Sequence, residues 1–348
     1  MSAPRVALIG PRRLRQGLGP FVARELVAAG AAVTAFVCSR PESVPPAREA
    51  LRALGVESRG FHRLEDLLDS VEVDAVAILS PPETHAAYLE AAATAGLHAL
   101  CEKPLVWGGS SPGQQARRCV EAFRVRGLLL VENCQWPDTL ASFEELHPGA
   151  LGERPEQFSM RLSPSGEGES MLVDSLSHPL SLLQAWLPVL SGEDTNDDRV
   201  ENASLLEFEE SGAPAIEIRF DFLRGALRVP SRVQLVRQQS QPRRAGYALN
   251  ARRAERVVEM SDYSMFFRDG ERRVAMADPL ATRMECFVDL LRGCELRGQT
   301  SGPPPAPKSR TSRRVTTADE LVARVQMLEA LVAAYRATTG ATAKRNSI

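Results

Sequence analysis

Two segments decide the reading of this chain. They are Val76-Ala77-Ile78-Leu79-Ser80-Pro81-Pro82-Glu83-Thr84-His85 and, shortly after, His98-Ala99-Leu100-Cys101-Glu102-Lys103-Pro104. Each starts as a continuous apolar run, the mark of a strand covered on both faces, and closes in polar residues and proline. Residues 84–95 between them read as a helix. Strand, helix and second buried strand predict a parallel pair joined by a right-handed crossover. Outward from this core the alternation repeats, with strands at 6–9, 33–37, 75–79, 98–101 and 128–131. Helices fall at 21–29, 47–54, 64–68 and 114–126, and Gly30, Gly96 and Gly127 stand just past three helix ends. Residues 1–135 thus read as one doubly wound parallel sheet.

The pattern changes near residue 136. Residues 205–209 and 215–222 predict a hairpin around Ser211-Gly212, with Ile216, Ile218, Phe220 and Phe222 on one face. Residues 265–267 and 273–276 flank a second turn at Asp269-Gly270. Strands in succession with period-two alternation predict a largely antiparallel, open-faced sheet in an α+β domain over 136–338. Two helices close that domain. One, at 279–291, carries Leu280, Met284, Phe287 and Leu291 and ends at Gly293. The other starts at Thr317, with Glu320 completing a capping box. Residues 297–314 read as a mobile loop and 339–348 as a frayed tail.

Composition narrows the function. The chain has 348 residues, is 44% hydrophobic and carries a net charge of −2, which suits two globular domains and no nucleic-acid partner. No apolar run nears the roughly 18 residues of a membrane span, and 6–9 is too brief for a signal-peptide core. Cysteines 38, 101, 119, 134, 286 and 294 form no CxxC and no zinc-type pattern, so no metal is expected and the thiols read as those of a reduced, cytoplasmic protein. Of 42 basic residues, only Lys103, Lys308 and Lys344 are lysine.

That last count gives Lys103 its weight. Where almost every cation is arginine, a lysine at the carboxyl end of a buried strand points to a need for a primary amine that can share a proton. The turn after the first strand, Gly10-Pro11-Arg12-Arg13-Leu14-Arg15-Gln16-Gly17-Leu18-Gly19, stands where such sheets hold a pyrophosphate, although its spacing is not GxGxxG. Gly10, Gly17 and Gly19 would let a phosphate approach, with Arg12 and Arg13 in support. After the second strand, Ser39-Arg40 replaces the usual acid, which favours the 2′-phosphate of NADP over NAD, though NAD stays open.

Together these segments resemble the Gfo/Idh/MocA oxidoreductases, in the glycine loop, Ser39-Arg40, Ser80-Pro81-Pro82-Glu83-Thr84-His85 and Glu102-Lys103-Pro104-Leu105. The resemblance implies a Rossmann-type first domain, a nicotinamide cofactor contacted by Ser80, Pro81, His85 and Glu102, and Lys103 beside the reacting oxygen. It implies that Glu102 helps hold the Lys103 turn and that Pro104 is a cis proline. It also implies a catalytic Asp-x-x-x-His at a helix start, supplied here by Asp174 and His178, and a homodimer or homotetramer. Ser181 and Gln135 depart from the family pattern, which points to a small substrate that is less hydroxylated or uncharged. Arg243-Arg244 and Arg252-Arg253 read as solvated faces. The alternatives are a catalytically silent binding protein on the same scaffold, or a reductase of an imine or conjugated double bond.

Overall fold

A computed structural model describes residues 2–11, 18–188, 197–299 and 316–345. The chain divides into two compact units, Met1–Asn133 with Pro279–Ala318, and Cys134–Asp278 with Asp319–Ile348.

The first unit alternates strand and helix as the buried apolar runs require. Its elements are β1 (Arg5–Ile9), α1 (Gly19–Ala28), β2 (Ala32–Val37), α2 (Val44–Arg52), β3 (Arg59–Phe61), α3 (Leu64–Ser70), β4 (Ala75–Ile78), α4 (His85–Thr94), β5 (His98–Glu102), α5 (Pro112–Arg124) and β6 (Leu130–Asn133). The sheet is parallel throughout, in the order β3-β2-β1-β4-β5-β6. Strand order reverses between β1 and β4, the place where sheets of this kind bind ligands outside the carboxyl ends of the strands. β3, with Arg59-Gly60-Phe61, is too short to show a period and escapes the sequence pattern.

The second unit contains α6 (Leu140–Leu146), β7 (Phe158–Leu162), α7 (Glu169–Ser175), α8 (Ser177–Trp186), β8 (Arg199–Glu210), β9 (Ala213–Arg224), β10 (Leu227–Val236), β11 (Ala245–Leu249), β12 (Arg252–Val258), β13 (Met265–Asp269) and β14 (Arg272–Met276). Its strands run β14-β13-β12-β11-β7-β10-β9-β8, antiparallel except for the β7–β10 pair. Both expected hairpins are present. Ser211 and Gly212 each take a positive φ, 53° and 78°, as the tight turn between β8 and β9 demands.

The two closing helices, α9 (Pro279–Gln299) and α10 (Ala318–Arg345), separate. The sequence pattern assigns both to the second domain, but α9 packs in the first unit. Leu280, Met284, Phe287, Val288 and Leu291 join the core built on Val22, Leu26 and Leu8. Arg292 Nη2 donates to the Ala29 and Gly30 carbonyl oxygens at the end of α1, at 3.3 and 3.2 Å, a placement that suits a helix C-terminus. α9 also runs past Gly293 to Gln299, so the start of the expected mobile loop is helical; most of that loop lies outside the described residues. The expected frayed tail is helical to Arg345.

α10 belongs to the second unit and closes a buried ionic cluster. Arg224 on β9 donates to both oxygens of Asp198 at 2.7 and 2.6 Å and to Glu320 at 2.8 Å. Its remaining N–H groups reach the Gln184 and Leu187 carbonyls, while Gln184 in turn binds Asp198 and accepts from Arg324.

Among the described residues, no disulfide forms, no side-chain group could hold a metal, and no helix is long and apolar enough to cross a membrane.

Candidate active site

In the first unit the site residues collect at the carboxyl ends of β1, β2, β4 and β5. Gly10 has φ +77°, and a Cβ there would stand 2.9 Å from Ser80 Cα. The turns after β1 and β4 therefore approach as closely as bare backbone allows. A Cβ on Gly19 would meet the Pro11 carbonyl oxygen at 2.3 Å, so the entry to α1 also requires glycine. Arg12, Arg13 and Gly17 lie outside the described residues. Ser39 and Arg40 are exposed immediately after β2, and the Arg40 carbonyl opens a short 3-10 turn, Pro41–Ser43. At Ser80 the hydroxyl donates to Thr84 Oγ1, because Thr84's own proton goes to the Pro81 carbonyl, both at 2.7 Å.

The Lys103 turn is braced from three sides. Its Lys103–Pro104 bond is cis. Glu132, a charged residue inside the apolar run of β6, is buried and accepts the Leu105 N–H at 2.8 Å. Asn133 Nδ2 donates to Glu102 at 2.5 Å. Burial pushes the Glu102 carboxyl up, against the opposing pull of the Lys103 ammonium and of Asn133. The third brace is His85, whose Nδ1 lies 3.0 Å from the Pro104 oxygen and whose Nε2 lies 2.8 Å from the Ser80 oxygen.

His85 therefore departs from its expected role as a cofactor contact. Its ring is wholly buried and both nitrogens face main-chain carbonyls, so it is a strut between the turns after β4 and β5. Burial holds its imidazole below the usual histidine range, against the carbonyls of Ser80 and Pro104 and the charge of Glu132. The unfolded chain, with an ordinary pKa of about 6.5, then takes up the proton more readily than the folded one. Stability from this group is complete above about pH 6.5 and is lost as the pH falls below it. Between about pH 7.5 and about pH 5.5, His85→Gln should lose less stability than the parent. Denaturant midpoints at the two pH values measure this, and equal losses would disprove it.

In the second unit Asp174 and His178 lie on either side of a helix junction. Asp174 is exposed in the last turn of α7, not at a helix start, and His178 is partly buried in the first turn of α8. Pro179 explains the break, because it has no N–H to return to the Ser175 carbonyl. Leu176 between the helices keeps helical angles, φ −70° and ψ −21°, so the chain continues in nearly the same direction.

His178 rests in a polar and aromatic setting. Cys134 Sγ lies 3.5 Å from His178 Nδ1, 3.0 Å from Ser181 Oγ and 3.3 Å from the Ser177 oxygen. Ser181 Oγ donates to the His178 carbonyl at 2.8 Å. Trp136, in the 3-10 turn Trp136–Thr139, meets the imidazole edge-on with centroids 6.5 Å apart. Beyond it Tyr247 stacks on Phe143 and donates its hydroxyl proton to Thr139, and burial pushes that phenol well above its usual range. Two cations border this cluster. Arg256 stacks over Trp136 with Cζ 5.3 Å from the ring centre. Arg243, expected on a solvated face, is instead partly buried, with its Nε fully enclosed; Arg244, Arg252 and Arg253 are exposed as expected. Glu132, Cys134 and Arg256 were not singled out as site residues by sequence pattern. The charge of Glu132 within an apolar strand was the one available signal.

A parallel sheet in this strand order, with a glycine turn after β1, on one chain with a mainly antiparallel unit, defines a two-unit α/β protein whose first unit has the Rossmann arrangement. Residues 5–133 match the family model described as oxidoreductase family, NAD-binding Rossmann fold. The first unit is thus similar to the NAD-binding part of the Gfo/Idh/MocA oxidoreductases. Over 107 residues it is 36% identical to the dTDP-3,4-didehydro-2,6-dideoxy-α-D-glucose 3-reductase of Actinomadura kijaniata, covering 30% of this chain and 31% of that one. Over 79 residues it is 42% identical to the inositol 2-dehydrogenase of Leifsonia xyli subsp. xyli, covering 23% and 22%. These matches span less than a third of either relative. A solved variant of a 3-ketoreductase from Actinomadura kijaniata, in complex with TDP-benzene and NADP, shares the fold with a TM-score of 0.64 at 20% identity, over 96% of this chain and 98% of that one.

Proposed function

We propose that this chain is an NADP-preferring oxidoreductase acting on a carbonyl or alcohol carbon of a small molecule, with Lys103 and His178 handling the proton. The observation that carries the reading is the braced turn holding the lone strand-end lysine, beside a glycine turn whose close approach to Ser80 suits a dinucleotide.

The residues present fit the cofactor. Gly10 and Gly19 keep side chains out of the β1–α1 turn. The N-terminus of α1 carries the positive end of the helix dipole, which suits a pyrophosphate, although Pro20 removes one N–H. Exposed Ser39 and Arg40 suit a 2′-phosphate. When bound, a nicotinamide supplies or accepts the hydride.

Lys103 donates a hydrogen bond from its ammonium to the reacting oxygen and so stabilises the charge that builds there. His178 takes the proton in oxidation and returns it in reduction. The contacts around its ring favour one tautomer. Ser181 gives its proton to the His178 carbonyl, and the Cys134 thiol proton has Ser181 Oγ and the Ser177 oxygen as acceptors. The sulfur then accepts from Nδ1–H, which leaves Nε2 as the basic nitrogen. Asp174, one turn earlier, orients the substrate.

Titration with NADPH and NADH, followed by nicotinamide emission, tests the reading. NADPH should bind more tightly, and Arg40→Ala should weaken it about tenfold while leaving NADH nearly unchanged. Failure of both nucleotides to bind at about millimolar concentration would end the proposal.

A further inference from the structure

β12 carries a cation where its pattern asks for an apolar side chain. The register sets Arg256 opposite Ala245 on β11 and opposite Phe267 on β13. Directly paired residues point to the same face. Ala245, Phe267 and the flanking Tyr247 and Ala254 are all buried, so Arg256 lies on the covered face of the sheet.

Several other arginines of this unit are supplied with acids. Arg224 has Asp198 and Glu320, Arg161 has Glu210, and Arg232 has Glu217. Arg256 is treated differently. Its Nε is buried without a hydrogen-bond partner, and Nη2 reaches only the Arg243 main-chain oxygen, at 3.4 Å. Among the described residues no carboxylate pairs with it. Burial and the like charge of Arg243 both hold the guanidinium below its usual range. A buried charge left in this state costs stability unless something arrives to satisfy it.

The surroundings say what could arrive, and where. The Trp136 ring centre lies 5.3 Å from Arg256 Cζ, and the ring meets His178 edge-on at 6.5 Å, so one indole links the two groups. Arg256 and Arg243 each keep part of their surface exposed, although both Nε atoms are enclosed. We propose that Arg256, supported by Arg243, receives an oxyanion carried by the substrate, a carboxylate or a phosphate, a few bonds from the carbon that reacts beside His178. The oxyanion accepts Nε–H and Nη–H in parallel and relieves the repulsion between the two cations. A doubly charged phosphate does so more fully than a carboxylate. This replaces the uncharged substrate expected from Gln135. Calling the anion's carrier the substrate rests on the oxidoreductase reading above; the anion site itself does not.

The test uses the full chain without nucleotide, with tryptophan emission followed during addition of sodium phosphate, sodium acetate or sodium chloride at matched ionic strength. The parent should respond saturably to phosphate at about millimolar concentration, and Arg256→Gln and Trp136→Phe should respond only as they do to chloride. Saturation by acetate in place of phosphate would also support the site and assign it to a carboxylate. Melting curves supply a second readout. Arg256→Met should melt at or above the parent in phosphate-free buffer, and phosphate should raise the melting temperature of the parent alone. The proposal is overturned if chloride reproduces the phosphate response, or if Arg256→Met melts well below the parent and phosphate stabilises both equally. NADPH titration of the same proteins separates the two readings. An intact nucleotide response with no anion response removes only the anion site, and the reverse result removes only the oxidoreductase reading.

Discussion

Lys103→Met is expected to lower kcat by about 10²–10⁴-fold on any substrate the parent turns over, with NADPH affinity changed by less than about threefold. The ammonium is the group proposed to meet the reacting oxygen, whereas Glu132, Asn133 and His85 brace the turn through the Leu105 N–H, the Glu102 carboxylate and the Pro104 oxygen. Lys103→Arg should be nearly as poor, because a guanidinium neither fits a point-donor position nor yields its proton. A merely structural lysine would be rescued by arginine and would show its loss in melting temperature instead. Comparison of kcat, NADPH binding and melting for the three proteins decides between these cases. Parent-level turnover by Lys103→Met would refute the assignment.

Arg224→Met should show the largest effect on stability. Arg224, Asp198 and Glu320 side chains are at most 3% exposed, and all the guanidinium contacts are hydrogen bonds of good length. Removing the cation leaves two buried carboxylates without their guanidinium, at a cost of about 3–5 kcal/mol. Melting of the variant should fall by on the order of 10 °C. A cost below about 1 kcal/mol in denaturant unfolding would show that water reaches the cluster and that it is not a dry ionic core.

The sequence was legible where structure depends on neighbours in the chain. Apolar runs at 75–79 and 98–101 marked β4 and β5, and alternation of Ile216, Ile218, Phe220 and Phe222 marked β9, because strand periodicity is a local property. Ser211-Gly212 and Asp269-Gly270 marked their turns through backbone preferences of single residues. The short β3 carried too few residues for any period to show. Lys103 stood out through the lysine count, its place at a strand end and the Glu102-Lys103-Pro104 segment around it.

The same local view misplaced α9 and misread His85. An apolar stripe on a helix states that the helix must be covered but not by what. Nothing near 279–299 says that its partners are Val22 and Leu26 on α1. His85 looks like a ligand-facing residue at a strand end until Pro104, 19 positions later, comes within 3.0 Å of its ring.

Element order, the parallel and antiparallel character of the two sheets, the glycine turn and the candidate lysine follow from residue types and their spacing. The strut role of His85, the Cys134 contact to His178 across 44 positions and the uncompensated charge of Arg256 do not. Each of these depends on which distant segments pack together. Burial and the identity of a hydrogen-bond partner are properties of the folded space around an atom, and no window of the chain contains them.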